Sequence, residues 1–171
     1  MILTETQIKA FENGATMFIV PINEPFIEVR PNEYYIDHMV VDSNYLIDRF
    51  APVQIGDKDV FIQKEFCISF AGEEIRHVND DTKLVYPWKP VLETTEEESR
   101  YSFKEIIDIR VVRVRDIMPD EWFKIGQRCK VIDKSIIEQF ADYYNTQLKE
   151  QNINRTYEDN DYVFLIEAKE N

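Results

Sequence analysis

The chain has 171 residues, of which 44% are hydrophobic and 13% aromatic, and this composition excludes an intrinsically disordered protein. Its length suits one compact domain, residues 1–171, with a buried core. A formal net charge of −13 opposes the simplest kind of nucleic-acid binding, because contact with the backbone requires Lys and Arg to displace counterions from phosphates.

The first elements in the chain are predicted to be a helix and two strands. Thr4 and Gln7 have the spacing of a capping box, and Gly14, after Asn13, ends the helix that they begin. Residues 17–22 and 26–29 are rich in apolar side chains and flank a turn that contains Pro25, so they predict short strands.

The middle of the chain predicts further strands and one long loop. Residues 31–54 are apolar without a clean period, which indicates strand fragments and a loop packed on the core. Residues 59–70 predict a strand that turns at Ala71-Gly72 into a partner over 74–78. Residues 79–100 contain the acidic run 93–98 and predict a mobile, solvated loop.

The last third predicts a strand, two helices and a final strand. Residues 106–114 form a long strand whose parity slips near Val111-Val112, as a β-bulge would cause. Pro119 suits the first turn of a short helix, and Ser135 with Glu138 forms the capping box of a longer one. Residues 162–168 are the last strand.

Charge is unevenly distributed. Residues 1–57 hold nine acidic and three basic side chains, whereas residues 104–134 hold eight basic and six acidic ones. Two interpretations stay open for the second segment. It forms a basic patch on an acidic body, or its cations are paired with neighbouring carboxylates such as Glu105, Asp108 and Asp116.

Signals for targeting, metal binding and cofactors are missing from the sequence. The chain opens without a basic region before an apolar run, and no stretch reaches the roughly 20 apolar residues of a membrane span. Cys67 and Cys129 suggest neither a disulfide framework nor a zinc site, and His38 and His77 have no ligand at metal-binding spacing. We expect a cytoplasmic protein with no membrane partner, metal or cofactor.

Several landmarks follow one another in an order that resembles the ASCH superfamily, over about residues 3 to 169. They are Gln7 to Gly14, Gly56-Asp57, Glu65-Phe66, Trp88-Lys89-Pro90, residues 109–114 with Asp116-Ile117, and Asn160 to Glu167. The closest likeness is to the ASCH-like proteins common in bacteriophages and prophages. The resemblance implies an α+β fold, a small mixed PUA-like β-barrel flanked by two to three helices, acting in the cytoplasm of a bacterial host.

The resemblance also implies a candidate catalytic set. Superfamily members that hydrolyse acylated cytidines are thought to use a Lys, a Thr and a Glu. Aligned on Gly14, the lysine position falls on Thr16 and the threonine positions fall on Met17 and Ile19, so only Glu65 is retained. Without the lysine, amide hydrolysis is poorly supported, and Glu65 and Thr16 are weak catalytic candidates.

Binding residues follow from the same resemblance and from residue chemistry. Glu65 is placed to orient a ligand amine at the barrel mouth, with Lys64 or Arg76 receiving a phosphate; the alternative is a salt bridge at a strand end. Aromatic side chains are candidates to stack on an unpaired base or, alternatively, to pack in the core: Tyr34, Tyr35, Trp88 and Trp122. Arg113 and Arg115, two apart on a strand, are expected to share a face and are candidates to contact a nucleic-acid backbone; the alternative is pairing with Asp116 or Glu105.

Three functions remain open. The first is a non-catalytic RNA, single-stranded nucleic-acid or nucleotide-binding module of phage or prophage origin. The second is an acidic accessory factor that binds a basic host protein and imitates the charge of DNA. The third is a degenerate amidohydrolase acting on modified cytidines.

Overall fold

A computed structural model describes the chain over residues 2–57, 61–63, 65–68, 75–77, 89–90, 101–102, 105–126 and 134–169. Several predicted features lie outside these residues, namely Lys64, Trp88, the Ala71-Gly72 turn and the acidic run 93–98.

The N-terminal part contains five strands and two helices. In chain order they are β1 (Ile2–Leu3), α1 (Glu5–Glu12), β2 (Met17–Pro21), β3 (Ile27–Arg30), β4 (Glu33–Ile36), β5 (Met39–Asp42) and α2 (Ser43–Phe50). The remaining described elements are β6 (Phe61–Gln63), β7 (Glu65–Ile68), β8 (Ile75–His77), β9 (Lys89–Pro90), β10 (Tyr101–Ser102), β11 (Ile106–Arg113), α3 (Pro119–Lys124), α4 (Ile136–Glu150) and β12 (Tyr162–Ala168). Short 3-10 turns occupy Val114–Asp116 and Tyr157–Asp159.

The described strands form four three-stranded sheets, with the orders β1-β6-β10, β11-β12-β2, β3-β4-β5 and β8-β7-β9. All pairings are antiparallel except that of β1 with β6. The predicted mixture of strands and helices is therefore confirmed. Among the described residues the sheets are open, and the barrel stays a prediction.

The sheet β11-β12-β2 is the centre of the fold because side chains on both of its faces are buried. Phe164 and Ile166 lie in a core with α2 and the β3-β4-β5 sheet, which we call the meander. Val163 and Leu165 lie in a second core with α3 and α4. Burial on both faces explains why residues 163–166 read as a continuous apolar run instead of alternating.

Local signals place the helix ends where the sequence predicts them. Thr4 accepts a hydrogen bond from the Gln7 amide at 3.2 Å, which completes the capping box of α1, and Gly14 follows its C-cap at φ +89°. Ser135 and Glu138 form the capping box of α4. Pro119 is the first residue of α3.

Three local predictions are corrected. Residues 43–50 form a helix rather than a loop, because the Asp42 carboxylate accepts from the Tyr45 amide at 3.0 Å and Leu46 is buried in the first core. The register of β11 shifts between Ile106 and Asp108, not near Val111-Val112. The strand ends at Arg113, one residue early, because Val114 begins a 3-10 turn.

Candidate functional site

The backbone places two of the predicted ligand-binding residues in one small sheet. Glu65 begins β7, opposite Pro90 of β9, and Arg76 lies in β8, opposite Cys67 of β7. The predicted pairing of residues 59–70 with 74–78 is confirmed for β7 with β8. Residues 61–63 of the predicted strand instead form β6, in the sheet with β1 and β10, and the turn lies outside the described residues. Lys64, the third residue of this predicted site, and Trp88, a predicted stacking residue, lie outside the described residues.

Thr16 is buried at the end of the central sheet, with 7% of its surface exposed. Its amide donates to the Lys124 carbonyl at 2.8 Å, and its carbonyl accepts from the Ala168 amide at 2.8 Å. The Lys124 ammonium lies 2.7 Å from a carboxylate oxygen of Glu167, whose strand position is opposite Met17. The backbone of Thr16 therefore lies beside that of Lys124, whose side chain pairs with Glu167, so that three residues from distant parts of the chain are neighbours here.

That group of three residues is poorly suited to hydrolysis. The hydrogen bond and the charge of Glu167 raise the pKa of Lys124, so the ammonium stays protonated and cannot act as a base. The carboxylate is held in the same ion pair. Sequence reasoning missed the pair because residues 124 and 167 share no motif.

Every described cation of segment 104–134 has a carboxylate partner. The pairs are Arg110 with Asp108 and Glu121, Arg113 with Glu28, Arg115 with Glu158, Lys124 with Glu167, and Lys134 with Asp142. Within residues 105–126 five acidic side chains outnumber four basic ones. Over these residues the interpretation of cations paired with carboxylates is the one the structure supports.

Arg113 and Arg115 converge on Asn160, although only Arg113 lies on the strand. The Arg113 guanidinium donates to the Asn160 carbonyl at 3.3 Å, and the Arg115 amide donates to the Asn160 side chain at 3.1 Å. Each guanidinium also lies over a tyrosine ring, that of Tyr162 at 4.4 Å and that of Tyr157 at 5.5 Å from the ring centroid. Their carboxylate partners are not the predicted Asp116 and Glu105.

Tyr162 connects this arginine pair to the meander. Its hydroxyl donates to Glu28, and its ring lies 5.1 Å from Phe26 and 5.6 Å from Tyr34 between centroids. Burial first, and then the bond to the Glu28 carboxylate, raise the pKa of Tyr162 to about 12. Tyr34 is buried in this cluster, and Trp122 is buried against Phe140, so neither ring is available to stack on a base.

The meander exposes an apolar row on the side away from the core. Ile27 lies opposite Tyr35, and Tyr35 lies opposite Val40, so the three side chains share one face across the three strands. Their exposed fractions are 68%, 42% and 59%. Tyr34 and Ile36, the alternate residues of β4, face the core and are buried. We call the face defined by Ile27, Tyr35 and Val40 the outer face.

Acidic side chains border the outer face. Glu33 and Asp42, opposite each other on β4 and β5, occupy the same side as Tyr35 and Val40. Asp37 and His38 form the tight turn at the other end, both with positive φ as in a type I′ turn. Residues 27–42, the meander, contain four carboxylates and one arginine; Arg30 is paired with Glu33, and Arg113 of β11 with Glu28. The meander therefore presents apolar side chains among a net excess of negative charge.

Two further observations concern metals and membranes. Within the described ranges, no group of three or more His, Cys, Asp or Glu side chains is arranged to hold a metal ion. None of the described helices combines the length and the apolar character needed to cross a membrane.

Comparison with protein-family models, with curated proteins and with solved structures finds no match to the chain.

Proposed function

We propose that this protein is a non-catalytic binding module whose partner is a cationic protein. The observation that carries the proposal is the neutralisation of the basic segment: all five of its described cations are in ion pairs, while the meander carries an excess of carboxylates. A surface with this balance attracts positive partners and repels phosphates.

Electrostatic reasoning supports the choice of a protein over a nucleic acid. Surface ion pairs are worth at most about 1 kcal/mol, so the pairs themselves do not lock these arginines. A phosphate approaching Arg113 or Arg115 nevertheless meets Glu28 or Glu158 beside each guanidinium, and the local positive potential is cancelled. At the meander, Arg30 beside Glu33 and Arg113 beside Glu28 offset part of the negative charge, but the four carboxylates of residues 27–42 outnumber these two cations. A lysine-rich protein surface is therefore attracted there.

The proposal is tested by measuring two probes against the intact chain by fluorescence anisotropy. One is a polylysine peptide and the other a mixed-sequence single-stranded oligonucleotide, as RNA and as DNA. We expect the peptide to bind, with an affinity that falls as salt rises, and the oligonucleotides not to bind. Salt-dependent oligonucleotide binding that Arg113→Glu with Arg115→Glu removes would overturn the proposal.

A nucleic-acid or nucleotide-binding module is the second candidate, favoured by one feature of the Arg113 and Arg115 site. Both side chains are partly exposed, at 41% and 42%, and both guanidinium groups make cation–π contacts with tyrosine rings, at 4.4 Å and 5.5 Å from the ring centroids. Planar guanidinium groups held in this way present donors to phosphates. The oligonucleotide experiment decides between the two candidates.

An ASCH-like framework is proposed for either function. Its support is the order of the elements: an opening helix closed by Gly14, a central antiparallel pair β11-β12, and two helices before the last strand. A PUA-like barrel and a phage or prophage origin belong to the same proposal. Residual amidohydrolase activity has the least support, because Lys124 is held protonated beside Glu167 and Thr16 is buried.

A further inference from the structure

We infer that the outer face of the meander is a docking site for a protein segment in which apolar side chains alternate with Lys or Arg. The inference rests on the proposed function, since it names the surface and the partner chemistry for the same binding module. It starts from three side chains that the register places in one row, Ile27, Tyr35 and Val40.

The apolar side chains of the outer face are not needed to hold the meander on the core. Tyr34 and Ile36 already anchor β4 in the core, with Val41 of β5 packed against the same core. Polar side chains at positions 27, 35 and 40 would preserve that packing and interact better with water. A sheet with one solvated face ordinarily alternates apolar and polar residues, so an apolar row on the solvent side marks an interaction surface.

Charge complementarity selects the occupant. Glu33 and Asp42 stand on the same side as the apolar row. The Arg30 guanidinium, 3.8 Å from Glu33, offsets part of their charge, but the four carboxylates of residues 27–42 outnumber this one arginine. A second copy of the chain would bring a like-charged rim against this one, which disfavours self-association. In a segment that alternates apolar and cationic residues, the apolar side chains rest on the row, and the long, flexible Lys or Arg side chains extend their charged ends to the carboxylates of the rim.

The experiment uses three peptides against the intact chain: alternating Leu and Lys, alternating Ser and Lys, and alternating Leu and Glu. Binding is followed by anisotropy for the unaltered protein, for Tyr35→Thr with Val40→Thr, and for Ile137→Thr. Threonine keeps the β-branch of Val40, so the strand is preserved. Ile137 is the matched control, since it is 55% exposed, close to the 59% of Val40, but lies on α4.

The expected result is that the Leu–Lys peptide binds most tightly and that the double variant weakens it about tenfold or more, as loss of interface anchors does, while Ile137→Thr leaves it unchanged. Equal binding of the Ser–Lys and Leu–Lys peptides would mean that apolar side chains contribute nothing. This result overturns the assignment of the outer face as the docking site and leaves the proposed function standing. Failure of both cationic peptides to bind overturns the proposed function as well. A dimer of the unaltered chain that the double variant dissociates overturns the choice of partner.

A second measurement needs no variant and covers the case in which the double variant does not fold. A Leu–Lys peptide carrying a photo-reactive group is cross-linked to the unaltered chain, and the sites are mapped by mass spectrometry. The inference predicts cross-links within β3, β4 and β5. Cross-links confined to α3 and α4, on the other side of the central sheet, would overturn it.

Discussion

Replacing Gln147 with leucine is expected to leave the protein at least as stable as before, although the change removes a buried hydrogen bond. Gln147, on α4, is fully buried and donates to the Ile19 carbonyl at 2.7 Å. Gln7, on α1, donates to the same carbonyl at 2.9 Å. The two glutamines thus cover the carbonyl of Ile19 on β2, an edge strand of the central sheet.

The size of the change in unfolding free energy follows from the polar contacts that the substitution of Gln147 removes. Gln147→Leu forfeits one hydrogen bond, worth about 1 kcal/mol, but Ile19 keeps its bond from Gln7. It also removes the Gln147 side-chain oxygen, which is buried without a partner among the described residues and costs about 1–3 kcal/mol. The net change in the free energy of unfolding runs from zero to about 2 kcal/mol of stabilisation.

Gln7→Leu is the matched comparison because it removes the same kind of bond to Ile19. Its side-chain oxygen also accepts from the Thr4 amide at 3.1 Å, as half of the capping box. Loss of that cap adds to the loss of the Ile19 bond, so we expect destabilisation by about 1–2 kcal/mol. Urea unfolding followed by circular dichroism measures both variants. A Gln147→Leu protein less stable than Gln7→Leu would refute the reasoning.

Three further predictions concern packing, backbone and pH. Phe140→Ala should cost about 3–5 kcal/mol, because this buried ring stacks on Trp122, whereas the exposed Ile137→Ala should stay within about 0.5 kcal/mol; equal losses would contradict the assignment of the second core. Gly126→Ala should destabilise more than Gly56→Ala in thermal unfolding. Both have positive φ, but only at Gly126 does an added Cβ meet Ala10, at 2.9 Å, and equal melting temperatures would argue against that contact. The pKa of Tyr162, raised to about 12 from its usual 10.0, means that its contribution to stability is full below about pH 10 and is lost as the pH rises to about 12. Unfolding measured across this window should show a steeper loss in the unaltered chain than in Tyr162→Phe, and parallel curves would contradict the shift.

The sequence predicts elements best where local chemistry and burial agree. The capping boxes that begin α1 and α4 involve residues three apart, so their signals are complete within a few residues. Residues 163–166 are apolar at every position, so they predict a strand whether one face of the sheet is buried or both are. These elements are found where they are predicted.

The meander is predicted least well, and the reason is physical. Tyr34 and Tyr35 are both apolar, but one faces the core and the other faces solvent, so no period of two is visible. The outer face therefore hides the strand pattern that a polar face would have revealed.

The ion pairs of the basic segment illustrate a second limit. Near neighbours such as Asp116 are the only partners that a sequence suggests for Arg113 and Arg115. Their actual partners, Glu28 and Glu158, are separated from them by 85 and 43 residues and come together through the pairing of β11 with β12 and the approach of β3. Whether a basic segment is a patch or a set of neutralised pairs depends on tertiary contacts.

Amide NMR of the intact chain, titrated in turn with the Leu–Lys peptide and with a single-stranded oligonucleotide, distinguishes a meander that binds cationic protein from an arginine site that binds nucleic acid. We expect the peptide to shift resonances of residues 27–42, in the meander, and the oligonucleotide to shift none. Shifts caused by the oligonucleotide around Arg113, Arg115 and Asn160, with no response of the meander to the peptide, would contradict this expectation.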